Sequence, residues 1–65
     1  MVRVRFGTVR TADLAARALR RQGLNARREG NEVLVRGART HRVDRALKRW
    51  ALRRGRLPSY TYVEW

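Results

Sequence analysis

The sequence predicts one small α+β domain, residues 1–65, in which two helices cover one face of a four-stranded antiparallel sheet. Two observations lead to this fold class. Short segments alternate between apolar and polar residues, as strands with one buried face do, and two longer segments repeat apolar residues at helical spacing. Turn and stop signals separate these segments and set their order along the chain, which is β-α-β-β-α-β.

A strand opens the chain and a helix follows it. Residues 2–6 alternate between apolar and basic side chains, the pattern of a strand with one buried face. The helix begins at Thr8 or Thr11, either of which is a suitable N-cap, and stops at Gly23. We expect Asp13 in its first turn, paired with the Arg four residues later. The apolar face of this helix comprises Leu14, Ala15, Ala18, Leu19 and Gln22.

Two further strands form a hairpin in the middle of the chain. Residues 24–28 are predicted to be a short strand, and residues 29–31 a tight turn rich in turn-forming side chains. The third strand covers residues 31–36, in which Val33 and Val35 share one face. We expect that face to be turned toward the helices.

A second helix and a last strand complete the pattern. Thr40 is a suitable N-cap for a helix that ends near Arg54, with Gly55 as its stop signal. Residues 59–65 then alternate again and are predicted to form the fourth strand. We expect Trp50 to fill the core between helix and sheet. The apolar stripe of the second helix comprises Val43, Ala46, Leu47, Trp50 and Ala51.

The predicted order of elements is that of the ferredoxin-like fold. In that fold the first and third strands lie side by side in the middle of the sheet, and the fourth lies beside the first. If the C-terminal segment were only a tail, the fold would be a three-stranded βαββα sheet instead. Ferredoxin-like domains have many unrelated functions, so the fold by itself assigns none.

The charge of the chain indicates an anionic partner. Seventeen residues are Lys or Arg and five are Asp or Glu, which gives a net charge of +12, and every basic residue except Lys48 is Arg. Codon usage in a GC-rich genome can replace Lys by Arg, but it leaves the net charge unchanged. The excess of cations therefore points to nucleic acid or an acidic protein.

Several classes of function are disfavoured by what the sequence lacks. It has no Cys, which fits a reducing, cytoplasmic setting. No apolar run approaches the ~20 residues that cross a bilayer, and the N-terminal residues lack the apolar core of a signal peptide. The glycine loops that bind phosphates are missing, and His41 alone cannot assemble a metal site. We therefore expect no cofactor, no metal ion and no enzyme activity.

The open face of the sheet is the first candidate surface for nucleic-acid binding. Period 2 places basic residues of the two central strands on this face, namely Arg3, Arg5 and Arg36. The fourth strand brings either Tyr60 and Tyr62 or Trp65 to the same face, where unpaired bases would stack on the rings.

The outer side of the helix pair is the second candidate surface. Two helices packed side by side would merge their basic rows into one stripe suited to a duplex backbone. Few acids interrupt these rows, whereas a merely solvated face normally mixes both signs. The rows comprise Arg17, Arg20 and Arg21 on the first helix and Arg42, Arg45, Arg49 and Arg53 on the second.

The first hypothesis is a small, sequence-nonspecific binder of DNA or RNA, held mainly by Arg–phosphate contacts. The alternative is a non-enzymatic interaction module or oligomer subunit that docks an acidic protein, with Leu34, Leu52 and the C-terminal aromatic residues as anchors. We expect a monomer or weak homo-oligomer, because Arg3 and Arg5 would repel each other across a dimer of stacked sheets. A membrane surface is a poor candidate, since the helices need their apolar stripes for the core.

Overall fold

The computed structural model describes residues 1–63 and has the element order that the sequence predicts. Two helices, α1 (Val9–Arg21) and α2 (Thr40–Arg54), pack on one face of a sheet. All strand pairs are antiparallel, in the order β2-β3-β1-β4. The strands are β1 (Val2–Phe6), β2 (Asn25–Glu29), β3 (Glu32–Arg36) and β4 (Tyr60–Tyr62).

This is a small α+β fold of the ferredoxin-like type, and the four-stranded prediction is confirmed. The C-terminal segment contributes a strand rather than a tail, although β4 has only three residues. Residues 64–65 of the predicted strand lie outside the described residues. In residues 1–63 neither helix is long and apolar enough to cross a membrane.

The core lies between the helices and one face of the sheet, as the strand alternation predicts. Helix α1 packs with a stripe of small residues at i, i+3, i+4 and i+7 spacing, which brings it close to the sheet. Leu14, expected on that stripe, is instead 38% exposed. The most deeply buried residues are Val4, Phe6, Val33 and Val35 from the sheet, Ala12, Ala15, Ala16 and Leu19 from α1, and Val43 and Leu47 from α2.

Thr8, one of the two predicted N-cap residues, caps the first helix. The Thr8 hydroxyl accepts a hydrogen bond from the Thr11 backbone N–H at 3.1 Å, which satisfies one of the free donors at the helix start. Because α1 therefore begins at Val9, Asp13 lies beyond its first turn, contrary to expectation. Its predicted ion pair with Arg17 is present at 3.2 Å.

The second helix has a different start from the one expected. Arg39 is the N-cap residue and makes no side-chain cap hydrogen bond, so Thr40 is the first helical residue and not the cap. At the C-terminal ends the sequence signals are confirmed, since Gly23 and Gly55 both have φ of 85°. Glycine adopts this left-handed conformation without the steric cost of a Cβ atom.

Candidate nucleic-acid interface

The open face of the sheet carries both signs of charge. Glu32 on β3 lies directly opposite Arg5 on β1, and its carboxylate is 2.9 Å from the Arg5 guanidinium. The same carboxylate is 3.4 Å from the Arg3 guanidinium. Glu29 on β2 stands opposite Glu32 and adds a second acid to this face. The sheet therefore brings Arg3 and Arg5 together as predicted, but around an acid that offsets part of their charge.

Leu34, a predicted anchor of the alternative interaction module, lies on the open face of the sheet and is largely covered. It lies opposite Arg3 on one neighbouring strand and Arg27 on the other, and only 7% of it is exposed. The long aliphatic part of an Arg side chain can cover apolar surface while its charged end stays in water. Leu34 is therefore not an exposed anchor, whereas Leu52 on α2 is 83% exposed.

The tyrosines of β4 face the helices, which corrects one of the two placements predicted for the C-terminal aromatic residues. Tyr60 and Tyr62 lie opposite core residues of β1, Phe6 among them, so period 2 turns both rings toward the helices. Both hydroxyls donate hydrogen bonds to Oδ1 of Asp44 on α2, at 3.0 and 2.8 Å. They do not form a stacking platform on the open face. The other predicted ring, Trp65, lies outside the described residues.

Asp44 is held in its ionised form by three donors. Nζ of Lys48 lies 2.9 Å from Oδ2, an i,i+4 pair on one face of α2. Hydrogen bonds from Lys48, Tyr62 and Tyr60 lower the pKa of Asp44 below its ordinary value, against the smaller opposing effect of burial. Burial raises the pKa of both tyrosines, and the hydrogen bond to the carboxylate raises it further. These contacts hold β4 against α2. The hydroxyls of both tyrosines are engaged with Asp44.

The two helices leave a groove of about 780 Å³ between them, and its walls are basic. Arg42, Arg45, Arg49 and Arg53 follow one another along α2 at intervals of three or four residues, so they share one side of the helix. The basic lining of this interhelical groove comprises Arg17 and Arg21 from α1 and Arg42, Arg45, Arg49, Arg53 and Arg54 from α2, together with His41.

None of the four acidic residues in residues 1–63 lines the interhelical groove. Glu29 and Glu32 lie on the open face of the sheet, and Asp44 lies beneath β4. Asp13 is the acid that most affects the charge of the groove, because its carboxylate pairs with Arg17 on the groove wall. Within residues 1–63 the lining of the interhelical groove is thus basic with no acid of its own, whereas acids and Arg side chains are mixed on the open face of the sheet.

Arg20 leaves the predicted basic row of α1. Its Nη1 donates a hydrogen bond to the carbonyl oxygen of Ala26 on β2, at 3.0 Å, and it does not line the interhelical groove. Gln22, expected on the apolar face, lines the groove instead and donates to the carbonyl oxygen of Ala46 at 2.9 Å. This bond ties the end of α1 to the middle of α2.

Trp50 lines the interhelical groove, a position that the sequence reasoning missed. It was expected to fill the core, but it is only partly buried and packs against the core from the groove side. The guanidinium carbon of Arg54 lies 4.9 Å from the centroid of its ring, a cation–π distance. The i,i+4 spacing of an aromatic residue and an Arg on one helix was the signal for this pair.

In residues 1–63 the His and acidic side chains form no group of three or more that could hold a metal ion. Among the described residues, the interhelical groove, with its basic walls and the partly buried Trp50, is the arrangement best suited to an anionic ligand. No known family model matches the chain, and no curated protein or solved structure is significantly similar to it, so the candidate function rests on this groove.

Proposed function

We propose that the protein binds nucleic acid without sequence specificity and that the interhelical groove is its phosphate-binding surface. The observation that carries this proposal is the gathering of seven Arg side chains around one groove. A guanidinium group stays charged at physiological pH, and its planar set of donors matches phosphate oxygens. Contacts to phosphates position a polymer but carry no sequence information, which accounts for a nonspecific binder.

The spacing of the groove residues supports contact with several phosphates at once. An α-helix rises 1.5 Å per residue, so the row from Arg42 to Arg53 extends for about 16 Å along α2. Arg17 and Arg21 on the facing wall are about 6 Å apart by the same measure. A chain of phosphates running along the groove would meet guanidinium groups from both walls.

The open face of the sheet is the weaker of the two predicted surfaces. Its two central basic residues, Arg3 and Arg5, already share the carboxylate of Glu32. A phosphate approaching them would meet the repulsion of that carboxylate and of Glu29 beside it. We therefore assign phosphate binding to the helices and treat Arg36, which is exposed at the end of β3, as peripheral.

Matched charge-removal variants test this assignment. The groove variant carries Arg45→Gln, Arg49→Gln and Arg53→Gln, and the control variant carries Arg10→Gln, Arg27→Gln and Arg36→Gln. Each lowers the net charge by three, and all six residues are exposed. We expect the groove variant to lose affinity by about one order of magnitude or more and to have a salt slope smaller by about two to three. The control should change much less.

The measurement is a fluorescence-anisotropy titration with labelled single- and double-stranded DNA and RNA across a range of salt concentrations. The wild-type affinity should fall steeply as salt rises, because each neutralised phosphate releases counterions. Equal losses in the two variants would show that the groove is not the binding surface. A wild-type protein that binds none of the polymers, even at low salt, would overturn the nucleic-acid proposal and favour the acidic-protein alternative.

A further inference from the structure

We infer that the interhelical groove selects single-stranded nucleic acid and that Trp50 is a stacking site for one base. The inference rests on the proposed function and adds to it the class of polymer and a residue that contacts bases. It departs from the expectation of a duplex backbone lying on a flat basic stripe. Three features of the groove support it: its width, the position of the Trp50 ring, and the placement of the other described aromatic rings.

The usual spacing of packed helices is too narrow for a duplex to enter between them. Packed helices have axes about 8–10 Å apart, and a groove between them is no wider than this spacing. A duplex is broader and would touch only the Arg side chains at the rims. A single strand can lie along the groove with its phosphates near both basic walls, and it can turn an unpaired base toward the apolar lining, which includes Leu14, Leu24 and Trp50.

The Trp50 ring offers a face to the groove. The guanidinium of Arg54 already lies over that ring, at 4.9 Å from its centroid, and both residues line the groove. Because Arg54 is itself exposed at the surface, the ring face that it covers is one that a planar base can reach. Arg guanidinium planes stack on bases as aromatic rings do. A base between Trp50 and Arg54 would therefore be held from both sides.

The remaining described aromatic rings are engaged elsewhere. Phe6 is buried in the core, and the rings of Tyr60 and Tyr62 lie on the helix-covered face with their hydroxyls bound to Asp44. Among residues 1–63, Trp50 is thus the ring positioned beside the basic walls. Stacking on one base combined with phosphate contacts is the arrangement of sequence-tolerant single-strand binders.

The fluorescence of Trp50 gives a direct test. Trp65→Phe serves as the background, so that Trp50 is the remaining Trp. This protein is titrated with oligothymidylate, with a mixed-sequence duplex of equal length, and with inorganic polyphosphate, which has phosphates but no bases. We expect oligothymidylate to bind more tightly than the duplex and to quench Trp50, and we expect duplex and polyphosphate to bind without comparable quenching.

Two substitutions on the same background separate stacking from packing. Trp50→Leu keeps an apolar side chain against the core but removes the ring, and Trp50→Phe keeps a smaller ring. We expect Trp50→Leu to weaken oligothymidylate binding by about 5- to 100-fold while polyphosphate binding changes by less than about twofold. Trp50→Phe should restore most of the loss. Circular dichroism and the thermal midpoint verify that each variant is folded.

The outcomes distinguish this inference from the proposed function. Binding of all three polymers without Trp50 quenching, or an equal loss for oligothymidylate and polyphosphate in Trp50→Leu, would overturn the stacking site and leave phosphate binding intact. Failure of every polymer to bind at low salt would overturn both. Should Trp50→Leu not fold, the quenching titration and Trp50→Phe still decide.

Discussion

At the scale of one residue, the contacts of Asp44 include one that sequence spacing predicts and two that it does not. Its pair with Lys48 follows from i,i+4 spacing and is present at 2.9 Å. Its hydrogen bonds to Tyr60 and Tyr62 join residues 16 and 18 positions apart, and no local pattern predicts them. They form because β4 lies beside β1 and presents both rings to α2.

Removing the carboxylate charge of Asp44 should destabilise the protein. We expect Asp44→Asn to lower the free energy of unfolding by about 1–2 kcal/mol at neutral pH, since two partly buried hydroxyls lose a charged acceptor. In a domain of this size, each kcal/mol of lost stability lowers the thermal midpoint by about 4–8 °C. Asp13→Asn is the matched control, because its ion pairs are exposed. It should change stability by less than about 0.5 kcal/mol.

The same carboxylate predicts a pH dependence with a definite sign. The pKa of Asp44 is lowered in the folded protein, so its stabilisation is present above the ordinary value of 3.8 and disappears as the pH falls below it. The pKa of Tyr60 is raised, so its contribution is present below the ordinary value of 10.0 and is lost as the pH rises above it. The stability difference between wild type and Asp44→Asn, from urea denaturation, should therefore shrink toward low pH. A constant difference would contradict this role.

At the scale of elements, alternation and stop signals predicted every strand and helix, but not the rotation of α1. Sequence spacing favoured a stripe containing Leu14, whereas the buried stripe contains Ala12 and Ala16. Ala and Leu both count as apolar in a pattern, and only packing against the sheet distinguishes them. The same limit applies to Trp50, whose apolar spacing fits the core although its ring lies at the groove.

The two Thr residues predicted as helix caps give a matched pair. Thr8 accepts a hydrogen bond from the backbone of α1, and Thr40 is already inside α2 and makes no cap bond. We expect Thr8→Ala to lower the free energy of unfolding by about 1 kcal/mol and Thr40→Ala to change it by less than half as much. Chemical denaturation measures both. Equal effects of the two substitutions would mean that the Thr8 cap bond does not contribute to the free energy of unfolding.

At the scale of the whole molecule, composition predicted the charge and periodicity predicted two basic surfaces. The choice between them depended on where four acids lie. Glu32 joins Arg3 to Arg5 only because β3 pairs with β1 in one particular register. The convergence of Arg side chains on the interhelical groove likewise depends on how α1 and α2 pack, which local spacing does not define.

The net charge of +12 should make stability depend on salt. Repulsion among the cations opposes folding, and added salt screens it. We expect the thermal midpoint to rise by about 5 °C between about 0.02 and 0.5 M sodium chloride, while affinity for nucleic acid falls over the same range. The variant with Arg10, Arg27 and Arg36 replaced by Gln should show a smaller rise. A midpoint that falls with salt would contradict this account.

The short strand β4 leaves a shorter open edge on its side of the sheet than β1 would leave. An unpaired strand edge displays free N–H and C=O groups on which another chain can assemble, and proteins avoid leaving such edges open. The edge at β2 carries charged side chains, including Arg27, Arg28 and Glu29, which discourage this pairing. On the other side of the sheet, within residues 1–63, the five-residue edge of β1 is covered by the three residues of β4 and by the bond from Val63 N–H to the Arg3 carbonyl oxygen, so the edge that stays open is short. Because Asp44 holds β4 in place, we expect it to limit aggregation at this edge as well as to stabilise the fold.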